Sequence, residues 1–208
     1  MPTSSAPKPN HLGAQQRSAI LDKAFALFAR QGYRRTSFGD IAEEVGLSRP
    51  AIYHYFKNKD AVFTAVTDRI HKDISLAIDR AMDKPGSVED RLLAVFEARA
   101  GRDYALLFVS PYGRELLEER KKREGGDSRD SGVQARMAME QIIREGETSG
   151  DLALSVLGMT PESTIDLLEH FFEGLLAREA SEANASAAAR SMVGLFVAGL
   201  RISPPSEG

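Results

Sequence analysis

Six residues between positions 49 and 55 include several side chains that are suited to contacting a nucleic acid. Arg49 can donate two parallel hydrogen bonds to a guanine edge, and tyrosine and histidine can donate to phosphates or base edges. The alternative is that both tyrosines are ordinary packing residues, because tyrosine is often half-buried with only its hydroxyl exposed. The six residues are Arg49, Pro50, Ala51, Tyr53, His54 and Tyr55.

The residues around this stretch predict two short helices joined by a tight turn. Ser37 and Asp40 have the spacing of a capping box, which begins a helix. Gly46 ends that helix, because glycine accepts the left-handed backbone conformation just past a helix C-terminus. Ser48 can cap the second helix, and Pro50 then falls in its first turn, where the missing N–H costs nothing.

Apolar residues indicate how the two short helices cross. Ile41, Ala42 and Val45 repeat at helical spacing in the first helix, and Ile52 and Phe56 lie four apart in the second. A small residue allows the helices to approach closely, and an apolar residue in the second helix fixes it to the first. Two short helices with a glycine turn between them form a helix-turn-helix unit, whose second helix enters the DNA major groove.

Residues 32–63, GYRRTSFGDIAEEVGLSRPAIYHYFKNKDAVF, resemble the DNA-binding domain of the tetracycline-repressor (TetR) family of bacterial transcriptional regulators. The family pattern in this segment reads Gly-Tyr/Phe-x-x-Thr-Ser/Thr, then Ile-Ala, Gly-Val/Leu-Ser, Tyr-x-Tyr/His-Phe and Lys-x-x-Leu. The chain departs mildly at residues 60–62, Asp-Ala-Val, where Glu-x-Leu is commoner. The resemblance covers the first third of the chain, and the remainder is similar to the family only in length and helical character.

The resemblance implies a set of DNA-binding residues. The family contacts the DNA backbone at the position of Thr36 and a phosphate at the position of Lys59. A phosphate would also relieve the unfavourable placement of a cation at a helix N-terminus. Arg34 and Arg35 are either further phosphate contacts or solvated loop residues. The predicted set is Thr36, Ser48, Arg49, Pro50, Ala51, Tyr53, His54, Tyr55 and Lys59.

The distribution of charge fits a protein that meets DNA at one end. The net charge is −3, but residues 1–60 contain nine Lys/Arg against five Asp/Glu, and the remainder is acidic. No apolar run approaches the ~18 residues of a membrane span. The N-terminus has no apolar core typical of a signal peptide, and cysteine is absent. We therefore expect a cytoplasmic protein without membrane contact.

The remainder of the chain predicts an all-α fold, because no strand signal interrupts the helical periodicity. Helices are expected from Ala14 to Gln31, from Asn58 to Met82, and from the capping box at Ser87 onward. The charged run at residues 118–124 is predicted as a solvated helix face, and residues 125–132 as a flexible loop before a helix over residues 133–147. The predicted organisation is a disordered tail (1–13), a helix-turn-helix DNA-binding domain (14–60) and a helical ligand-binding and dimerisation domain (61–203).

The predicted C-terminal domain offers candidates for binding a small, largely apolar effector. Arg99 continues the apolar stripe of Val88, so it is paired, extends its charge to the surface, or receives an anionic ligand. Aromatic and methionine residues there are core residues or pocket residues. The candidates are Phe96, Arg99, Tyr104, Phe108, Met137 and Phe171.

Two long apolar stripes near the C-terminus predict a homodimer. They would leave a large exposed patch on a monomer, and such patches mark interfaces. Two helices from each subunit can form a four-helix bundle around a two-fold axis, which matches a palindromic site. The alternative is that one stripe packs inward. The predicted interface residues are Ile165, Leu168, Phe172, Leu175, Leu176, Met192, Val193, Phe196, Val197 and Leu200.

The sequence contains no recognisable enzyme constellation. Its four histidines lack metal-ligand spacing, and no glycine-rich phosphate loop follows a strand. Neither a metal nor a cofactor is expected. The leading hypothesis is a ligand-responsive repressor that binds a palindromic operator in double-stranded DNA, and the alternatives are a constitutive DNA-binding module and a small helical enzyme. A closed apolar cavity would favour the first, and salt-sensitive binding without sequence preference the second.

Overall fold

The computed structural model describes residues 9–100, 110–124, 131–178 and 182–201, and the regular elements in these ranges are all helical. The predicted all-α fold is therefore confirmed. A short 3-10 helix (Leu154–Leu157) joins two of the α-helices. The α-helices are α1 (Pro9–Gln31), α2 (Phe38–Val45), α3 (Arg49–Tyr53), α4 (Lys59–Met82), α5 (Val88–Arg99), α6 (Gly113–Glu124), α7 (Ser131–Ser149), α8 (Pro161–Arg178) and α9 (Glu182–Leu200).

The chain divides into two compact units. The first comprises Met1–Arg69 and Ser110–Gly125, and the second comprises Ile70–Val109 and Gly126–Gly208. The division therefore falls inside α4, after Arg69 instead of after residue 60, because the first turns of α4 bury Val62 and Phe63. None of the helices in the described ranges is long and apolar enough to cross a lipid bilayer.

Local hydrogen bonds fix the ends of the helices around the turn. Ser37 caps α2 in a complete capping box with Asp40, and Gly46 follows α2 with φ of 72°. At the start of α4, Asn58 accepts a hydrogen bond from the backbone N–H of Ala61 at 2.8 Å.

The predicted start of α1 is wrong, because α1 begins at Pro9 and residues 9–13 are helical. Proline is compatible with that position, since the first turn of a helix does not use its N–H.

An aromatic cluster anchors the core of the first unit. Phe28, Tyr33 and Phe63 lie with ring centroids 4.8–5.6 Å apart, in tilted and edge-on arrangements. Ile20 and Ile41 are fully buried beside them in α1 and α2. Aromatic pairs of this kind stabilise a core beyond the area that they bury.

The prediction of a solvated face at residues 118–124 is wrong for two of its charged residues. Glu119 is buried, and the Arg123 guanidinium lies 4.5 Å from the Tyr33 ring and 4.9 Å from the Phe63 ring. Arg123 also pairs with Asp60 at 2.9 Å. A mixed-sign sequence does not reveal these contacts, because Tyr33, Asp60 and Phe63 lie 60 or more positions before Arg123 in the chain. Helix α6 is thereby part of the first unit.

The second unit is built from α5, α7, α8, α9 and the second half of α4. Phe96 of α5 and Phe172 of α8 pack with ring centroids 4.9 Å apart. Gly146 is buried in α7, and a Cβ atom there would lie 2.8 Å from the Val88 side chain and 3.0 Å from the Leu152 side chain. A side chain larger than hydrogen at this position would therefore separate α5 from α7.

Helix α7 is longer at both ends than its predicted range of residues 133–147. It extends from Ser131 to Ser149, so two residues assigned to the preceding loop are helical, and residues 125–130 lie outside the described ranges. Met137, a candidate effector residue on this helix, is 65% exposed, whereas Ile142 and Ile143 are buried. Met137 occupies the face of α7 opposite Ala135 and Met139, which face the core.

Candidate nucleic-acid interface

Helix α3 has one buried face and one exposed face. Ile52 is 0% exposed and anchors the helix on the core of the first unit, as its apolar spacing predicted. Arg49, Pro50 and His54 are exposed, and Tyr53 is 60% exposed. The helix and its C-cap residue His54 therefore leave a guanidinium, a phenol and an imidazole exposed.

The start of α3 is fixed by a side-chain cap. The Ser48 hydroxyl accepts a hydrogen bond from the backbone N–H of Ala51 at 3.3 Å, and Pro50 lies in the first turn as predicted. Ala51 and Tyr55 are half-buried, so they contribute less surface than their exposed neighbours. Ser48 is itself exposed, and its hydroxyl is engaged in the cap.

Two residues of α2 that the sequence did not single out complete this exposed surface. The Phe38 ring meets the Tyr53 ring edge-on, with centroids 5.0 Å apart. The Arg49 guanidinium lies against Gly39, because a Cβ atom built there would be 2.9 Å from Arg49 Nη2. The N-terminal turn of α2 and the outer face of α3 therefore form one surface. Sequence spacing within each helix carries no signal for these contacts between helices.

The structure does not support Thr36 as a side-chain contact to DNA. Thr36 is 1% exposed, and its hydroxyl donates to the carbonyl oxygen of Gly32 at 2.7 Å. The hydroxyl thus holds the turn between α1 and α2. A buried threonine with a satisfied hydroxyl positions its neighbours rather than presenting a donor to a ligand.

Lys59 has internal partners in place of the phosphate that the sequence suggested. Its ammonium group donates to the carbonyl oxygen of Tyr33 at 2.9 Å and lies 4.2 Å from the centre of the Tyr33 ring. Lys59 is half-buried. The placement of a cation at the start of α4 is therefore already stabilised within the first unit, and a phosphate would be an additional partner.

Tyr33 and Asp60 form a hydrogen-bonded pair beside Lys59. The Tyr33 hydroxyl donates to Asp60 at 2.5 Å, and burial, followed by this bond, raises the pKa of Tyr33 to about 12. The phenol therefore stays protonated and remains a donor at neutral pH. Hydrogen bonds from Tyr33 and then Arg123 lower the pKa of Asp60, so its carboxylate stays ionised.

Basic residues beside α3 divide into paired and exposed groups. Arg34 pairs with Glu119 at 3.3 Å, and Arg35 lies 4.4 Å from the centre of the Tyr112 ring. Both remain exposed, as does Lys57, which was not among the predicted site residues. Exposed Arg and Lys side chains provide the positive charge that phosphate contacts require.

The predicted effector residues do not form one cluster. Phe96 is buried and lines a cavity of about 260 Å³ among α5, α8 and α9, together with Phe172 and Leu175. Met137 instead lines an open groove between α4 and α7, and Phe171 is exposed. Tyr104 and Phe108 lie outside the described residues.

Arg99 is the paired arginine that the sequence analysis left as one of three possibilities. Its guanidinium lies 5.0 Å from the centre of the Phe172 ring, and Nη1 is 3.5 Å from Glu169. Arg136 binds the same carboxylate at 2.7 Å. The charge of Arg99 is therefore already paired with Glu169 in this conformation, without an anionic ligand.

The predicted dimer interface is wrong at six of its ten positions. Those six side chains are covered by other helices of their own unit. Met192, Phe196 and Leu175 are half-buried, and the side chain of Leu176 is outside the described part of the chain. Periodicity locates an apolar stripe but cannot distinguish a stripe facing its own core from one facing a partner. The six are Ile165, Leu168, Phe172, Val193, Val197 and Leu200.

No group of three or more His, Cys, Asp or Glu side chains within the described ranges could hold a metal ion.

The first unit contains an exposed helix rich in hydrogen-bond donors, which follows a capped helix and a glycine turn. The family model for bacterial regulatory proteins of the tetR family matches residues 20–66, which span the end of α1 through the first turns of α4.

Residues 20–66 are a DNA-binding domain of the TetR family.

Two sequence relatives of the chain are named as transcriptional regulators. It is 47% identical over 53 residues to the HTH-type transcriptional repressor ComR of Escherichia coli, covering 26% of this chain and 25% of that repressor. It is 28% identical over 149 residues to the HTH-type transcriptional regulator TtgR of Pseudomonas putida, covering 66% of this chain and 70% of TtgR. The match to the first protein thus spans only a quarter of its length.

Solved structures show the same fold along most of the chain. PfmR from Thermus thermophilus, a TetR-family regulator, covers 90% of this chain and 98% of its own, with a TM-score of 0.67 at 21% identity. KstR2 of Mycobacterium tuberculosis, a ketosteroid transcriptional regulator, covers 90% and 96%, with a TM-score of 0.70 at 16% identity. The matched family model and these relatives are DNA-binding transcriptional regulators rather than enzymes, and the chain is a regulator of the same kind.

Proposed function

We propose that the protein is a dimeric repressor that reads a palindromic DNA site with α3 and leaves it when a small, largely apolar molecule binds the second unit. One observation carries the proposal: α3 buries Ile52 and leaves Arg49, Tyr53 and the C-cap residue His54 exposed. A rigid helix with donors on one face is the element that reads base edges in the major groove.

The residues of the exposed surface have separate roles in this proposal. Arg49 contacts a base edge, and Tyr53 and His54 contact phosphates or neighbouring edges. Lys57, Arg34 and Arg35 supply exposed charge for the DNA backbone. Loss of a base contact changes which sequence is bound, whereas loss of a backbone contact weakens binding to all sequences alike.

Lys59 is the sharpest test of a backbone role because the structure gives it internal partners. If its ammonium group also contacts a phosphate, Lys59→Ala reduces the slope of log affinity against log salt by about one unit. Lys57→Ala is the positive control, because Lys57 is an exposed lysine two positions before Lys59. An unchanged slope for Lys59→Ala beside a reduced slope for Lys57→Ala would remove Lys59 from the interface and leave it with the Tyr33 contacts alone.

The effector site in this proposal is the cavity lined by Phe96 and Phe172. Its aromatic and aliphatic lining favours an apolar molecule, with Glu97 and Ser186 as polar groups at its side. Helix α4 has residues in both units, so a shift of its second half would be carried along a continuous helix. The effector needs a higher affinity for the conformation that does not fit DNA, because equal affinities would shift nothing.

The dimer in this proposal uses the outward faces of α8 and α9. Leu167 and Phe171 on α8 and Leu195 on α9 are exposed apolar side chains. Gly174 and Gly199 extend these faces, and a Cβ atom at either position would meet nothing within 4 Å. Exposed leucine and phenylalanine beside open glycines permit close approach of helices from a second copy. The two α3 helices of such a dimer would read two half-sites.

Selection from duplex DNA with a randomised centre tests the DNA-binding part directly. The purified chain should enrich a sequence with two inverted half-sites about 10 base pairs apart, or at a multiple of that spacing, centre to centre. An enriched single half-site would contradict the dimer, and enrichment of no sequence would contradict base reading by α3. Release of the selected duplex by apolar compounds then tests the effector part, with Phe96→Ala as the variant that should lose the response.

The size of the cavity favours a second candidate function, a constitutive dimeric DNA-binding module. At about 260 Å³ the cavity is smaller than typical sites for small molecules, which are about 300–1,000 Å³. Such a module would show no thermal stabilisation by any apolar compound and no release of the selected duplex. Stabilisation of the wild type that is lost in Phe96→Ala would exclude it.

A further inference from the structure

Gly39 is an unexpected residue in the first turn of α2. Glycine is disfavoured inside a helix relative to alanine, because it loses more backbone freedom on folding. Its backbone φ is not positive, since the glycines with positive φ in the described chain are Gly32, Gly46, Gly150 and Gly158. Left-handed geometry therefore does not explain glycine at this position, and the reason must lie in the space beside it.

That space is occupied by the side chain of Arg49. A Cβ atom at position 39 would lie 2.9 Å from Arg49 Nη2, 3.3 Å from Nε and 3.4 Å from Cζ. The guanidinium group therefore rests against the backbone of α2 at a position where any larger side chain would displace it. Arg49 as a whole remains exposed, so its other N–H groups are free to meet a ligand.

Neighbouring contacts hold the same arrangement between α2 and α3. The edge-on contact of Phe38 with Tyr53 lies one residue away from Gly39 in α2. The charge of Arg49 also contributes to the lowered pKa of the Asp40 carboxyl, after the hydrogen bonds from the Ser37 backbone and hydroxyl. The Asp40 carboxylate, which follows Gly39 in the sequence, therefore stabilises the Arg49 guanidinium in its position against α2.

We propose that Gly39 is a positioning residue for base reading: its missing side chain fixes the direction in which Arg49 is presented to DNA. The inference rests on the proposed function, in which Arg49 contacts a base edge. Two-pronged recognition of guanine needs a guanidinium in one orientation, because both N–H groups must align with two acceptors on the same base. A glycine in α2 thereby determines the specificity of α3.

A methyl group at position 39 should change specificity without lowering stability. The atoms that it would meet are the far end of a flexible arginine side chain, which can move away at little cost. Alanine also favours the helix more than glycine does. Gly39→Ala should therefore fold at least as stably as the wild type while presenting Arg49 in a different direction. A merely structural role for Gly39 would show the opposite result, a loss of stability with unchanged base preference.

The experiment selects from duplex DNA with a randomised centre, using the full chain and its variants. Gly39→Ala and Gly39→Leu should lose preference for the same base position that Arg49→Ala loses, by about ten-fold, within the roughly 5- to 150-fold that one such contact contributes. Salt dependence on the wild-type sequence should stay unchanged, since phosphate contacts are not altered. Gly13→Ala is the matched control, because Gly13 is also helical and a Cβ there meets nothing within 4 Å.

A double variant separates an effect through Arg49 from an independent one. Gly39→Ala combined with Arg49→Ala should bind like Arg49→Ala alone, because the residue that Gly39 positions is then absent. Additive losses in the double variant would overturn the positioning role. Unchanged base preference in both Gly39 variants, with Arg49→Ala still impaired, would also overturn it while leaving the proposed function intact. Failure of the wild type to enrich any sequence would instead overturn the proposed function, and the positioning role with it.

Discussion

Several residues next to the proposed DNA-reading face are engaged inside the first unit. Thr36 and Tyr33 lie in the turn between α1 and α2, and both use their hydroxyls on partners inside the first unit. Arg123 comes from a distant part of the chain and covers the Tyr33 ring. Lys59 covers the same ring and binds the Tyr33 carbonyl oxygen. Contacts within the first unit therefore fix the turn before α2 and the start of α4, which flank the two short helices.

Thr36→Val tests the supporting role of the turn. Valine keeps the shape but leaves the Gly32 carbonyl oxygen without its donor, which should lower the free energy of unfolding by about 1–2 kcal/mol. Urea unfolding measures this loss. Thr67→Val is the control, since the Thr67 hydroxyl donates to Thr64 in an exposed turn of α4. A reduced salt dependence of DNA binding with full stability would instead assign Thr36 to the DNA contact.

Asp60 makes the stability of the first unit dependent on pH. Its pKa is lowered in the folded chain by the Tyr33 and Arg123 hydrogen bonds, so the unfolded chain takes up a proton at higher pH than the folded chain. Asp60 therefore contributes stability above its unfolded pKa of about 4, and the contribution is lost as pH falls through the folded pKa. Glu119 contributes with the same sign, mainly through Arg123.

Urea unfolding between pH 6 and pH 3 should show this dependence. Asp60→Asn should be less stable than the wild type at pH 6, and the difference should shrink as the pH falls. Tyr33→Phe removes the largest cause of the lowered pKa while keeping the ring beneath Arg123, so it should give a similar but smaller change. Parallel profiles for the wild type and Asp60→Asn would show that Asp60 has the same pKa in both states.

At the scale of single elements, the sequence predicts helix ends better than helix faces. The capping boxes at Ser37 and Ser87 and the turn at Gly46 are confirmed, because each depends on hydrogen bonds between residues a few positions apart. The faces of α8 and α9 were assigned wrongly, because burial depends on which distant helix covers each stripe. For the same reason the contacts of Arg49 and Arg123 could not be predicted from spacing.

Close packing of α5 on α7 depends on the glycine at position 146. Gly146→Ala forces a methyl group against Val88 and Leu152, both buried, so it should lower the free energy of unfolding by about 1–3 kcal/mol. Gly13→Ala is the control, because it adds a methyl group to a helix where nothing lies within 4 Å. Equal stability of Gly146→Ala and the wild type in urea would mean that the two helices separate without cost.

At the scale of the whole molecule, the proposed dimer predicts that a charge placed on α9 weakens dimerisation and that a charge placed on the 3-10 helix does not. Leu195 is 77% exposed on α9, and Leu195→Glu would place a carboxylate in the interface. An unpaired buried charge costs about 3 kcal/mol or more, so the dimer dissociation constant should rise about 100-fold. Val156→Glu is the control on the short 3-10 helix, where the valine is also exposed.

Sedimentation at several protein concentrations measures this difference. The wild type and Val156→Glu should sediment as dimers at concentrations where Leu195→Glu sediments as a monomer. A dimeric Leu195→Glu would place the interface on another surface, and a monomeric wild type would contradict the proposed two-fold reading of DNA.

The central claim is that the exposed face of α3 distinguishes DNA sequences. The most direct measurement is fluorescence anisotropy of the selected duplex and of a shuffled duplex of the same composition, at one fixed salt concentration. The wild type should bind the selected duplex at least about 1,000-fold more tightly. Combined replacement of Arg49, Tyr53 and His54 by alanine should bring the ratio close to one in a chain that unfolds like the wild type. An unchanged ratio in that folded variant would contradict the claim.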